Sequence, residues 1–290
     1  AEDAGERQHH VDARMAERIP KPPKEDIINS AAGIASEGNL HQLYFYYPEE
    51  GGINALIKAF ENQLNDRVKV VTNCNVVELQ RMDNQWMIKN GNGSTGEYDL
   101  IISTIPVQML AGLYRAAIPE KVIESVSGLK YNSILIAIIN VNKDNLGSNF
   151  AVMVPDQDII FHRVSKLNFL GDCYSRKDDS TTLMVEITYA KDGLIDKMSD
   201  SEIKRQIIEG LKDIQFIDRH EPINFIEMRK FEYAYVVCDL NHQRNINVVR
   251  NYFAGQGIRL CGRFGEFEYL NMDAVIRHAK ELSEEIGKIL

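Results

Sequence analysis

The segment LCGRFGEFEYLNMDAVIRHAKELSEEI, residues 260–286, gathers residue types suited to a negatively charged ligand. A short apolar strand runs into Gly262 and Gly265, whose missing side chains let the backbone approach a ligand closely. Between them stands Arg263, whose planar fork of donors can meet a phosphate. A long amphipathic helix then starts at about Asn271, Met272 and Asp273, where free amides and the positive end of the dipole favour negative charge. Taken alone, the same residues also describe an ordinary glycine turn with Asp273 as a helix cap. A second place to look is FHRVSKLNF, a strand whose His162 and Arg163 are expected to face a cleft.

Other chemistries lack their residues. His-Glu-x-x-His, Gly-x-Ser-x-Gly and the phosphate-binding loop pattern are all absent from the sequence. Cys74, Cys173, Cys238 and Cys261 are scattered, without a Cys-x-x-Cys pair or a His at ligand spacing, so no metal site is expected. They read as reduced, mostly buried thiols. His9-His10 lies in a polar terminal stretch. A net charge of -9 argues against a nucleic-acid partner, which needs a concentrated positive field. The apolar run from Ile134 to Val141 is far too short for a membrane span, and the first ten residues carry no signal-peptide core, so a cytoplasmic location is expected.

The positioning elements follow from periodicity. With 290 residues, 44% hydrophobic and 26% charged, the chain suits one large or two ordinary globular domains. Pro20, Pro22 and Pro23 make an extended connector. Ile53, Leu56, Ile57, Phe60 and Leu64 fall on one face of a helix. VKVVT, NVVEL, QWMIKN and YDLIIST read as strands broken by turn residues, the middle pair a hairpin. A short helix over Pro119–Val126 precedes the buried-type strand NSILIAIINV, and FAVMVP, DIIFHRV and TLMVEIT continue as strands. Ser199 and Glu202 form a capping box ahead of the stripe Ile203, Ile207, Leu211 and Ile214. INFIEMRKF is a strand, VCDLNHQRNINVVRNYFAGQG a loop and helix, IRLCG a strand, and the final helix lines up Val275, Ile276, Ala279, Leu282, Ile286 and Ile289.

Helix and strand mix without regular βαβ alternation, which points to an α+β chain, interleaved between two domains. The expected boundaries are a connector over residues 1–46, one domain over 47–115 plus 241–290, and a second over 116–240.

The stretch GRFGEFEYLNMD resembles the carboxy-terminal FAD motif of the amine oxidase and protoporphyrinogen oxidase-like flavoproteins. It is most similar to the branch containing UDP-galactopyranose mutase and relatives linked to lipopolysaccharide biosynthesis. AERIPKPPKEDII, HQLYFYYPEEGGINAL and FEYAYVVCDLNHQRNI support the resemblance, which runs in order from about Met15. It implies an α/β-type FAD domain, represented only in part, with an antiparallel-sheet substrate domain carrying helices. Gly262 and Arg263 would lie at the FAD pyrophosphate, with Asn271, Met272 and Asp273 by the flavin and ribityl chain. Val76 would offer backbone contacts to the adenine, and as a plain residue it is an ordinary strand valine. Arg163 and Asn168 would contact substrate, with Tyr233 and Tyr235 near the flavin. Read without the resemblance, Arg163 is a surface ion pair and the tyrosines are half-buried strand aromatics. No catalytic residue is singled out.

Two departures matter. Family members begin with a strand and a Gly-x-Gly-x-x-Gly turn that holds the pyrophosphate, and this sequence contains no such turn. The expectation is therefore that these residues form the carboxy-terminal portion of a flavoprotein and bind FAD weakly or not at all by themselves. The pattern's proline and second tyrosine are replaced by Val236 and Cys238. Three readings stand: an FAD-dependent oxidoreductase, a mutase isomerising a sugar nucleotide without net oxidation, and a non-catalytic binding remnant. The substrate is a small molecule in the first two; the oligomeric state is left open.

Overall fold

The computed structural model describes residues 24–32, 46–175 and 180–288. The proline connector, His9-His10 and Ile289 lie outside them. In chain order come α1 (Lys24–Ala31), α2 (Asn54–Glu61), β1 (Val76–Met82), β2 (Gln85–Asn90), β3 (Thr95–Tyr98), β4 (Ile101–Ser103), α3 (Val107–Leu113), α4 (Glu120–Ser127) and β5 (Lys130–Val141). There follow β6 (Ala151–Met153), β7 (Arg163–Lys166), β8 (Thr181–Tyr189), α5 (Leu194–Lys197), α6 (Asp200–Asp213), β9 (Ile223–Val237), α7 (His242–Gly255), β10 (Ile258–Leu260) and α8 (Met272–Ile286). The chain is α+β, as its sequence implied. Among the described residues no helix is long and apolar enough to cross a membrane.

Two compact units divide the chain at 69/70, 131/132 and 234/235. These divisions differ from the sequence boundaries at 46, 115 and 240: the helix α2 falls with the five-stranded sheet, and α4 with the segment before it.

The first unit, residues 70–131 and 235–288 where described, holds a three-stranded antiparallel sheet in the order β1-β2-β3 and a parallel pair, β10 with β4. The expected hairpin is present, with Leu79 opposite Ile88 and Met82 opposite Gln85. YDLIIST does not form one strand: β3 ends at Tyr98 and β4 joins a different sheet. The core packs Trp86, Leu110, Val249, Phe253 and Phe267, all but inaccessible to solvent. α8 fully buries none of its residues: of the expected stripe, Val275, Leu282 and Ile286 are partly covered and Ile276 and Ala279 are exposed.

The second unit carries a five-stranded sheet in the order β6-β7-β8-β5-β9. Its core face is set by period-two alternation: Leu135, Ala137 and Ile139 of β5 and Leu183, Val185 and Ile187 of β8 are fully buried with Ile203, Ile207 and Leu211 of α6. Ser199 caps α6 by accepting the amide of Glu202 at 3.3 Å. Only half of the capping box forms, since the Glu202 carboxylate turns to Arg205 and Gln206 instead of its own cap. DIIFHRV becomes a strand only from Arg163 onward.

Two apolar runs behave differently from their patterns. α2 forms, but Ile53, Ile57, Phe60 and Leu64 are 44–61% exposed. VKVVT is not a strand, and Val68, Val70 and Val71 stay about half-exposed. β-branched residues stabilise a strand through cross-strand neighbours, and this segment pairs with none among the described residues.

Candidate functional site

At the end of β10 the chain turns sharply. Gly262 has φ +85°, the left-handed region that disfavours any side chain, although a Cβ there would meet nothing within 4 Å. Gly265 is required for the opposite reason: a Cβ would sit 2.3 Å from the Cys261 carbonyl oxygen and 2.7 Å from that of Ser103. The first glycine sets the bend and the second lets it lie on the end of β4. Glu266 then closes the bend. Its amide donates to the Gly262 carbonyl at 2.8 Å, and its Oε2 accepts the Gly262 amide at 2.9 Å. Its Oε1 lies 2.9 Å from Nδ1 of His278 on α8, which ties the bend to that helix. Arg250 of α7 supports the same loop through the Glu266 carbonyl and the Glu268 carboxylate.

Arg263 projects from this bend over two aromatic rings. Its guanidinium carbon is 4.5 Å from the centre of Tyr269 and 5.3 Å from that of Tyr235, and the rings lie within 15° of parallel. The cation is held by ring faces rather than by acceptors, since its buried Nε and Nη2 make no hydrogen bond. Ser103 Oγ, beneath the bend, is likewise buried without a partner. Eight residues past Arg263 stands Asn271, the N-cap of α8, and its side chain makes no capping bond to the first amides. Asp273 lies inside the first turn and is not the cap. Asn271, Met272 and Asp273 are all exposed, so packed side chains do not plug the helix start.

Val76 opens β1, the edge strand of its sheet, opposite Asn90 and next to a register shift before Glu78. The structure thus gathers Gly262, Arg263 and Tyr235 at one bend with the start of α8 just beyond, and sets Val76 on a separate sheet.

Arg163, Asn168 and Tyr233 belong to the other unit. Arg163 makes a two-pronged ion pair with Glu186 across β7 and β8, Nη2 to Oε1 at 2.7 Å and Nε to Oε2. Glu186 is 4% exposed, so this pair is more than a surface contact. Asn168 stitches its turn to β8, accepting the Thr182 amide at 3.1 Å and donating to the Ser180 carbonyl. His162, beside Arg163, is held below its ordinary pKa by burial, against the opposing pull of Glu186. Tyr233 is half-buried on β9. Tyr269, Glu266 and His278 escaped the sequence reading; Tyr269 lay within the GRFGEFEYLNMD motif, but nothing in the spacing singled out its contact with Arg263. Of the cysteines, expected to be mostly buried, Cys261 is buried with its thiol pKa raised by desolvation, Cys74 and Cys238 are partly buried and Cys173 is exposed. No cluster of three His, Cys, Asp or Glu side chains gathers to hold a metal among the described residues.

Residues 19–239, well over half of the chain, match the family model described as flavin containing amine oxidoreductase. The chain belongs to that family. The match ends ahead of the Gly262 bend, which therefore rests on its own geometry. Solved structures with the same fold include a reduced UDP-galactopyranose mutase, at TM-score 0.66 and 16% identity over 76% of this chain and 47% of that one. An Exiguobacterium sp. 255-15 protein assigned as a protoporphyrinogen oxidase aligns at TM-score 0.68 and 17% identity, over 82% and 51%. A redesigned putrescine oxidase aligns at 0.60 and 13%, over 83% and 53%. The chain spans about half the length of these structures, 47–53%. No curated protein matches it.

For this flavin family the question is whether the residues present fit the cofactor. An arginine with two buried donors lacking acceptors, an open space beside Gly262 and an uncapped helix start together suit an anionic, partly charged ring ligand.

Proposed function

We propose that this chain supplies the closing portion of an FAD site in a flavin-dependent oxidoreductase acting on a small molecule. The observation that carries the reading is the Gly262–Arg263 bend leading to an uncapped, exposed start of α8. FAD, when bound, supplies the hydride chemistry. Arg263 meets the pyrophosphate, and the free amides at Asn271, Met272 and Asp273 favour negative charge by the ring. Val76 offers its backbone to the adenine. Tyr235, already under Arg263, is placed by the flavin; in the other unit Tyr233, Arg163 and Asn168 are the residues proposed for substrate, the last two as framework because their polar atoms are engaged with β8.

Titration of FAD into the 290-residue chain, followed by flavin fluorescence, should show weak binding at most. Tight stoichiometric binding would overturn the view that a Gly-x-Gly-x-x-Gly turn is needed to hold the dinucleotide. A gene encoding that turn ahead of residue 1 should give a longer product that purifies yellow; a colourless product sinks the flavoprotein reading. The similarity to UDP-galactopyranose mutase supports a second reading, an isomerase of a sugar nucleotide. Incubating the reduced, FAD-loaded protein with UDP-galactopyranose separates the two: the furanose form appears only if the second holds.

A further inference from the structure

β9 is the outermost strand of the five-stranded sheet among the described residues, and it is 15 residues long. Its two faces differ. Ile226 and Met228 pack against the core, and Lys230 and Glu232 reach Asp200 and Lys191 on that side. Phe225, Glu227, Arg229 and Phe231 alternate with them on the opposite face and are all exposed, the two phenylalanines at 39% and 47%. A long edge strand with exposed aromatics is a template for further pairing, and over Phe225–Phe231 no other strand among the described residues lies on its outer side.

Read backwards, the face Phe225, Glu227, Arg229, Phe231 keeps its aromatic ends and exchanges its two charges, so it is complementary to itself in antiparallel alignment. In an antiparallel pair of two copies with Met228 opposite Met228, each Phe225 meets the other copy's Phe231, and each Glu227 meets its Arg229. All four residues keep to one side of the joined sheet, because a pairing symmetric about Met228 matches odd positions with odd positions. Within one copy Glu227 and Arg229 are already drawn together at 3.4 Å, with side chains 68% and 75% exposed. Pairing would close the two carboxylates and two guanidinium groups into an alternating square. Shifting the register by two residues would set Glu227 opposite Glu227 or Arg229 opposite Arg229, so the charges select one alignment.

We propose that β9 is the interface of a homodimer, formed by antiparallel edge pairing centred on Met228 and joining two five-stranded sheets into one. The occupant is a second copy of this chain, selected by the self-complementary charges and aromatics of an edge that no other strand covers among the described residues. It does not depend on the flavin reading.

Light scattering on the eluting 290-residue chain, over a concentration series, tests it. The wild type should run as a dimer. Arg229→Glu sets four carboxylates together and Glu227→Arg four cations, and each should weaken association by about tenfold or more. The double swap, Glu227→Arg with Arg229→Glu, restores both pairs and should restore the dimer. Circular dichroism should match throughout, because both side chains are exposed. A wild type that stays monomeric at the highest concentration reached would mean that these charges guard the edge instead, and the proposal fails. A dimer indifferent to the single swaps, or not recovered by the double swap, places the contact elsewhere and overturns it equally.

Discussion

The two units treat their buried polar groups in opposite ways. In the unit built on the five-stranded sheet, buried charge is matched internally: Glu186 takes Arg163, and Asp144 takes Lys166 at 3.1 Å and the Thr181 hydroxyl at 2.8 Å. Asn140, 1% exposed, is satisfied by Ser180, Thr181 and Asn224. In the other unit, Ser103 Oγ, Gln108 Oε1, Arg250 Nε, Arg259 Nε and two nitrogens of Arg263 are buried without a hydrogen bond. All such atoms found among the described residues belong to this unit, and Arg263 and Ser103 flank the Gly262 bend. A buried donor without a partner costs free energy, and at the bend Arg263 and Ser103 both carry that cost. The sheet unit matches its buried charges; the bend unit matches some polar groups, such as Ser125 and His242, and leaves those of Arg263 and Ser103 open.

Stability measurements probe that contrast. Ile207→Ala in the sealed core should lower stability by about 3–4 kcal/mol, whereas Ile57→Ala on the exposed face of α2 should change it by less than about 0.5 kcal/mol. Urea unfolding of both variants reads the difference. Arg163→Ala strands the buried Glu186 carboxylate and should cost about 2–3 kcal/mol, the lower end of the range because the arginine is partly exposed. Arg263→Ala removes donors that have no acceptor, and should cost about 1 kcal/mol or less, the worth of its contacts with Tyr235 and Tyr269. Equal losses at the two arginines would erase the distinction between frame and open site.

Smaller effects follow at the helix starts and with pH. Ser199→Ala should lose about 1 kcal/mol, and Asn271→Ala close to none, because only the serine side chain makes a capping bond. Thermal melts would show this as a shift for the first variant alone. For His162, burial lowers the folded pKa, so the unfolded chain binds the extra proton more readily. Its contribution is fully present above the ordinary value of 6.5 and is lost as pH falls from there toward the lowered folded value. His162→Gln should flatten the stability profile below about pH 6.5; a wild-type profile as flat as the variant's would remove the effect.

Several elements were legible because their causes are local. The runs NVVEL and QWMIKN specify a hairpin, which turns at Asp83-Asn84 with Asp83 at φ +51°, and Ser199 specifies a helix start. Gly262 and Gly265 marked the bend correctly because a left-handed φ and a backbone contact each demand a glycine. The same local logic overreached at VKVVT and α2, where the pattern was right for an element but silent on whether anything lies beside it.

By itself, then, the sequence determined the family, the mixed architecture, the period of each face and the place of the glycine bend, since each depends on neighbouring residues or on a short motif. Tertiary structure alone decided which polar groups are spent and which are left open. Arg163 and Glu186 are joined across two strands, Glu266 reaches back to Gly262 and forward to His278, and Arg263 settles on Tyr235 and Tyr269. Hydrogen bonds and ring contacts form between atoms brought close in space, and separation along a chain carries no record of that closeness until the backbone has folded.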